Sequence, residues 1–236
     1  MTTRALIFDI GGTVFDWHTA IVEALEQVVP APALTRLDPA GFAYACRDKF
    51  LTLNMAVMRG ERSWMTSDQM LASVMREVCA EQSLEGLPPQ AVRVLATSWR
   101  NMPAWPGARD GIAALRRKYI AAPLTILSWP MAVGSSRRNG IDWDSILSCD
   151  VLGIYKPDPR VYARAAEIID CRPAEIIMVA AHPSDLRAAI QAGYGSAYVL
   201  PQLEDPGEDY SDTGFAAEFD FVARDFADLS RQLLAA

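Results

Sequence analysis

The run from Ala5 to Asp16, Ala-Leu-Ile-Phe-Asp-Ile-Gly-Gly-Thr-Val-Phe-Asp, holds a carboxylate and a hydroxyl, Asp9 and Thr13, on either side of a glycine pair. Asp9 closes a short apolar segment that reads as a buried strand, and the residues after it form a turn. A carboxylate at the carboxyl end of a strand, beside a loop of exposed backbone N–H groups, is placed to attack a bound substrate as a nucleophile. The amides near Ile10 and Gly11 then face the charge that develops on an oxyanion. The same residue types also suit a plain turn or a helix cap, because Asp and Gly both favour chain reversal after a strand. Such a short string gains weight only from its surroundings.

Those surroundings alternate between two textures. From Asp16 to about Arg100 the apolar residues recur with helical spacing, as in Ile21, Leu25 and Val28; Phe42, Cys46 and Phe50; Met70, Val74 and Val78; and Val92, Leu95 and Trp99. Helix starts are expected at Asp38-Pro39, at Thr66-Ser67-Asp68 and at Pro88-Pro89, where caps or first-turn prolines precede apolar repeats. No strand pattern interrupts that block. From Pro103 onward the chain reads as βα units: strands at Leu124–Leu127, Ile176–Ala180 and Ala197–Leu200, with helices at Asp158–Ile169 and Ser184–Ala192 between them. Phe219–Val222 and a helix from Asp225 complete the series. This order predicts an α/β fold: a doubly wound parallel, Rossmann-like sheet core with an inserted helical cap domain. Residues 1–15 and 101–236 are expected to form the core and 16–100 the cap, with crossings near Asp16 and at Pro103–Gly107. The active site would then lie between core and cap. Glu204–Gly214 reads as a polar loop.

Composition narrows the function classes. A chain of 236 residues, 51% of them hydrophobic, suffices for one α/β core with an insertion. A net charge of −7 argues against nucleic-acid binding, which needs a concentrated basic surface. The absence of a leader or a long apolar run predicts a soluble, cytoplasmic protein with no membrane partner. Cys46, Cys79, Cys149 and Cys171 form no Cys-x-x-Cys pair and are expected to be buried small hydrophobes, not zinc ligands or disulfides.

The segment around Asp9 resembles motif I of the haloacid dehalogenase (HAD) superfamily, in which that aspartate attacks carbon or phosphorus. Phosphatases of the superfamily carry a second aspartate two residues on, to protonate an alcohol leaving group, and this chain has Gly11 there. Halide leaves as a stable anion and needs no proton, so the resemblance points to the dehalogenase branch. Three later stretches fall where the superfamily has its other motifs. Ile126-Leu127-Ser128-Trp129-Pro130 supplies Ser128, a hydrogen-bonding hydroxyl or a helix N-cap. Tyr155-Lys156-Pro157-Asp158-Pro159 matches the Lys-Pro-Asp-Pro form of motif III, whose cation holds the nucleophile ionised. Tyr162 stands where the dehalogenases have a tyrosine beside the nucleophile.

In Val179-Ala180-Ala181-His182-Pro183-Ser184-Asp185-Leu186, Ala181 replaces a carboxylate of the magnesium-dependent members. Magnesium takes oxygen ligands, commonly carboxylates. The resemblance therefore implies no metal and no cofactor, with Asp9, Thr13, Lys156 and Asp185 as the catalytic set. The Ala-Ala-His-x-x-Asp-Leu form is that of a subgroup of type II 2-haloacid dehalogenases, and the stretch around Arg47 resembles that subgroup's cap helix. By the same resemblance Arg47 reaches toward substrate carboxylate or halide. Trp129 stands where these enzymes have a halide-binding asparagine; its indole N–H is a donor too, on a larger body that would narrow the pocket. His182 positions water beside Asp185 or caps the following helix.

The implied function is hydrolytic dehalogenation of a small anionic 2-haloacid, of haloacetate or 2-halopropionate type, by a homodimer. Two alternatives stand beside it. One is a phosphonoacetaldehyde hydrolase-like enzyme using Lys49 as an imine-forming cap lysine, and the other a non-catalytic HAD-fold binding protein. A Ser-His-Asp hydrolase is not supported, because no Gly-x-Ser-x-Gly elbow is present.

Overall fold

The computed structural model describes residues 2–202 and 216–236. Its centre is a six-stranded sheet in the order β3-β2-β1-β4-β5-β6, with every neighbouring pair parallel. The strands are β1 (Ala5–Phe8), β2 (Ile120–Thr125), β3 (Leu147–Ser148), β4 (Ile176–Ala180), β5 (Gly195–Val199) and β6 (Phe221–Ala223). Strand β1 is wholly buried, as its unbroken apolar sequence requires of a strand covered on both faces. It is flanked by β2 on one side and β4 on the other, with Phe8 opposite Pro123 and Val179. The winding direction reverses at β1, so its carboxyl end opens at the point where such sheets bind ligands.

The chain leaves that point into a helical segment: α1 (Trp17–Val28), α2 (Ala31–Leu34), α3 (Pro39–Met58), α4 (Ser67–Glu81) and α5 (Pro89–Ala96). Local chemistry sets the starts. Asp16 accepts from the Thr19 amide at 2.9 Å to cap α1, while Thr66 and Gln69 form a reciprocal capping box on α4. Pro39 and Pro89 open α3 and α5 from the first helical position, where a missing N–H costs nothing. The two crossings are hydrogen-bonded to each other: Asp16 N–H donates to Pro103 O at 2.8 Å and Trp105 N–H to Val14 O at 2.9 Å.

The remaining helices flank the sheet: α6 (Ala108–Leu115), α7 (Trp129–Asn139), α8 (Cys149–Leu152), α9 (Pro159–Ile168), α10 (Pro183–Gln191) and α11 (Phe226–Ala235). Helix α4 is tied to the sheet layer at its first turn. The Ser67 amide donates to the Asp150 carboxylate at 3.0 Å, and the Ser67 hydroxyl donates to the Ile126 carbonyl. The Tyr155 hydroxyl donates to Asp150 and lies 2.9 Å from Met65 O, and its ring stacks on Trp64 at 4.8 Å. Burial pushes the Asp150 carboxyl upward against the lowering effect of these donors.

The sequence expectations hold for most elements and fail at β2. That strand begins at Ile120, four residues before the expected Leu124, and ends at Thr125. All four cysteines are free and buried. The Glu204–Gly214 loop lies outside the described residues. Among the described residues, no helix is long and apolar enough to cross a membrane.

Candidate active site

Asp9 follows β1 directly, and its amide extends the sheet ladder to Val179 O at 2.9 Å. The loop then folds back on itself, with the Val14 and Phe15 amides both donating to the Ile10 carbonyl. This turn brings Thr13 under Asp9. The Thr13 hydroxyl donates to Asp9 Oδ2 at 2.8 Å and accepts from the Ala181 amide at 2.9 Å, so one side chain clamps the Asp9 loop to the end of β4.

Lys156, in the loop between α8 and α9, donates to Asp9 Oδ1 at 2.9 Å and to Asp185 Oδ2 at 2.5 Å. Asp185 sits in the first turn of α10, where the helix dipole favours a negative charge. Its Oδ1 accepts from the Tyr162 hydroxyl at 2.6 Å, and Tyr162 in turn is held through its backbone carbonyl by Tyr194 at 2.6 Å. All of these side chains are buried.

Charge follows from that burial. Loss of water is the largest influence on Asp9 and pushes its carboxyl up, but the Lys156 charge and the contact with His182 outweigh it. The group is held well below the usual carboxylate range. For Lys156, burial acts to lower the pKa, and the charges of Asp185 and Asp9 overcome it, raising the ammonium above its ordinary 10.5. Tyr162 is pushed up by burial and then by Asp185, so it remains a phenol that donates. His182 Nδ1 lies 2.9 Å from Asp9 Oδ2. An ionised Asp9 has no proton to share, so Nδ1 carries the hydrogen.

Asp9 opens onto a cavity of about 510 Å³ between the carboxyl ends of the strands and the helical segment. Gly11, Lys156, His182 and Asp185 contribute its floor, and Arg47 of α3 its opposite wall. The Arg47 guanidinium lies over the Trp17 ring, 4.9 Å from its centre.

The structure thus gathers Asp9, Thr13, Lys156, Asp185, Tyr162 and His182 into one hydrogen-bonded group, with Gly11 and Arg47 facing the same space. Ile10 is buried outside the lining and shapes the loop through its carbonyl. Two expected substrate-binding residues lie elsewhere. Ser128 turns its hydroxyl to the Met131 amide at 3.3 Å as the N-cap of α7, and Trp129, the first residue of that helix, is 50% exposed. Neither lines the cavity. Capping uses one lone pair of the Ser128 hydroxyl and leaves its O–H a donor, while Trp129 stands half exposed on the first turn of α7.

Lys49, the lysine of the imine alternative, pairs with Glu77 at 2.5 Å and Glu81 at 3.0 Å away from the cavity. Its hydrogen bonds to the Glu77 and Glu81 carboxylates raise its pKa, the reverse of what imine formation requires. Trp17 and Trp99 line the cavity and were not singled out by the sequence. Their signal was positional, one tryptophan near each crossing. The residues do not assemble a magnesium site: Lys156 already bridges the two carboxylates, Ala181 is apolar, and among the described residues no three metal-ligating side chains cluster.

The sequence pattern of the haloacid dehalogenase-like hydrolases matches residues 3–193. The chain belongs to that family. Within this hydrolase family it is 27% identical over 213 residues to (S)-2-haloacid dehalogenase 4A of Burkholderia cepacia, covering 88% of this chain and 87% of that one. Two solved structures are similar over almost the whole length. The L-2-haloacid dehalogenase PA0810 has a TM-score of 0.89 at 30% identity, covering 99% of this chain and 100% of its own. The defluorinating L-2-haloacid dehalogenase Rha0230 has a TM-score of 0.86 at 31% identity, covering 98% and 95%.

Proposed function

We propose that this hydrolase converts a 2-haloacid to a 2-hydroxyacid without a metal ion, through an ester on Asp9. The observation that carries the reading is the unequal treatment of the two Asp9 oxygens. Oδ2 accepts from both Thr13 and His182, whereas among the described residues Lys156 is the one donor to Oδ1. Oδ1 therefore keeps the freer lone pair and attacks C2, the carbon–halogen bond breaks, and halide leaves with the bonding electrons toward Arg47. Arg47 also balances the substrate carboxylate.

Water then attacks Cγ of the ester and gives its proton to Asp185. The charge that develops falls on Oδ2, where the Thr13 hydroxyl and the His182 N–H already stand. Collapse expels the hydroxyacid oxygen, the former Oδ1, beside Lys156, and the proton held by Asp185 completes the product. The second water proton, left on the Asp9 carboxyl, passes to solvent as that group ionises, and the regenerated carboxylate keeps the water oxygen.

That last point supplies the test. Single turnover in ¹⁸O-water is expected to place label in Asp9 and leave the first hydroxyacid unlabelled, with halide release persisting in EDTA and lost in Asp9→Asn. Label appearing first in the product would mean that water attacks carbon directly and would remove the ester from the mechanism.

A further inference from the structure

The cavity is larger than a two- or three-carbon acid needs. Allowing about 30 Å³ for each non-hydrogen atom, the share of one water in the liquid, 2-chloropropionate fills on the order of 180 Å³. Most of the roughly 510 Å³ is left over. The wall around the surplus is mostly apolar. Arg47, Phe50, Leu51 and Met55 all line the cavity from α3, and their spacing places them along one helix face. At 1.5 Å of rise per residue, that face runs about 12 Å from Arg47 to Met55.

Two tryptophans build the facing wall. Trp99 meets the Phe50 ring edge-on at 4.8 Å and donates its indole N–H to the Trp17 backbone carbonyl at 3.2 Å, while the Trp17 ring meets Tyr44 of α3 edge-on at 5.5 Å. Apart from Arg47 on α3, the titratable lining groups, Asp9, Lys156, His182 and Asp185, gather at the strand ends, while Leu51 and Met55 bring no charge. A slot of this kind is charged where the acid reacts and apolar beyond it, and it binds a ligand of the same build.

Given the dehalogenase activity proposed above, on which this rests, we infer that the preferred substrate is a straight-chain 2-haloalkanoic acid of six to eight carbons. Its carboxylate lies at Arg47 and its tail runs past Phe50 and Leu51 to Met55. An extended chain advances roughly 1.2 Å per bond, so an eight-carbon acid spans most of the slot and a two-carbon acid leaves it empty.

The test is a series of bromoacetate, 2-bromopropionate, 2-bromohexanoate and 2-bromooctanoate, followed by bromide release. Burial of each methylene is expected to raise kcat/KM about fourfold, so 2-bromohexanoate exceeds 2-bromopropionate on the order of fiftyfold. Met55→Trp, which fills the far end, is expected to move the optimum to a shorter acid. Calorimetric titration of the wild-type protein with acetate, hexanoate and octanoate reads the same slot without chemistry, and affinity is expected to rise along the series. If 2-bromopropionate is turned over but kcat/KM is flat or falls with chain length, the long-chain inference is overturned and the dehalogenase reading stands. If no member releases bromide, the dehalogenase reading fails, and the calorimetric series then decides the slot alone, with flat affinities overturning it.

Discussion

The Lys156 ammonium stands 2.9 Å from Asp9 Oδ1, inside a group of buried side chains in which it also meets Asp185 at 2.5 Å. One cation thus faces two carboxylates, and removing it leaves both buried charges without that partner. Lys156→Met is expected to cost about 3–5 kcal/mol of stability at pH 8, the range for breaking a buried ion pair. Asp9 has a depressed pKa in the folded protein, so its contribution is present above the unfolded value and lost as pH falls through the folded one. Lys156 has a raised pKa, so its contribution is full below 10.5 and lost as pH rises through the folded value. The deficit of the variant should shrink toward pH 5, where a buried Asp9 without the lowering charge of Lys156 can protonate. The acid limb of kcat/KM should move up by about one unit or more. Denaturant melts and rate profiles across pH check both statements.

His182 offers a separation of the two chemical steps. If its N–H holds the oxyanion on Oδ2, His182→Ala slows hydrolysis of the ester more than its formation. The loss of one such donor is worth about 10² to 10³ in kcat. The expected result is an enzyme that releases one equivalent of halide quickly and then stalls, with the intact protein heavier by the bound acid in mass spectrometry. A variant slowed equally in both steps, with no adduct, would assign the contact to holding Asp9 in place.

The parts of the site that were readable in the sequence are those where the backbone does the positioning. Asp9 follows a strand of four buried apolar residues, and Asp185 follows a cap and a proline at a helix start, so their places are set by local patterns. The sequence pattern places β2 too late because Ile-Ala-Ala-Pro-Leu-Thr lacks β-branched alternation and holds Pro123. The proline is tolerated because pairing with β3 begins only at Leu124, and β3 has just two residues, too few for any periodic signal. Ser128 and Trp129 show the opposite limit. Their types suit anion binding, but whether a side chain faces a cavity or solvent depends on the turn of α7, which no local spacing encodes.

Trp129 therefore gives a sharp expectation. Because it is half exposed and outside the lining, Trp129→Ala should leave kcat/KM for 2-bromopropionate within about twofold and stability within roughly 0.5 kcal/mol. A large loss of activity with the melting temperature unchanged would return the indole to the halide.

Gly134 shows how the helical segment is fixed to the sheet layer. A Cβ built on this residue of α7 would sit 2.2 Å from the Arg100 carbonyl, a backbone atom that cannot turn aside. The same helix holds the return crossing at several points. The Ser135 hydroxyl donates to Trp99 O at 3.1 Å and accepts from the Met102 amide at 3.1 Å, while Asn139 accepts from the Ala104 amide at 2.9 Å and donates to Met102 O at 2.8 Å. Gly134→Ala has to push this seam apart, at a cost of about 1–3 kcal/mol typical of overpacking. Trp99 stands at the seam and also forms a wall of the cavity, so the displacement reaches the substrate. The variant should raise KM more than it lowers kcat, since the Asp9 group is anchored on the strands and does not hang from α7. Thermal melts with steady-state kinetics check the pair of effects, and a fall in kcat at unchanged KM would show that the seam instead positions Asp9.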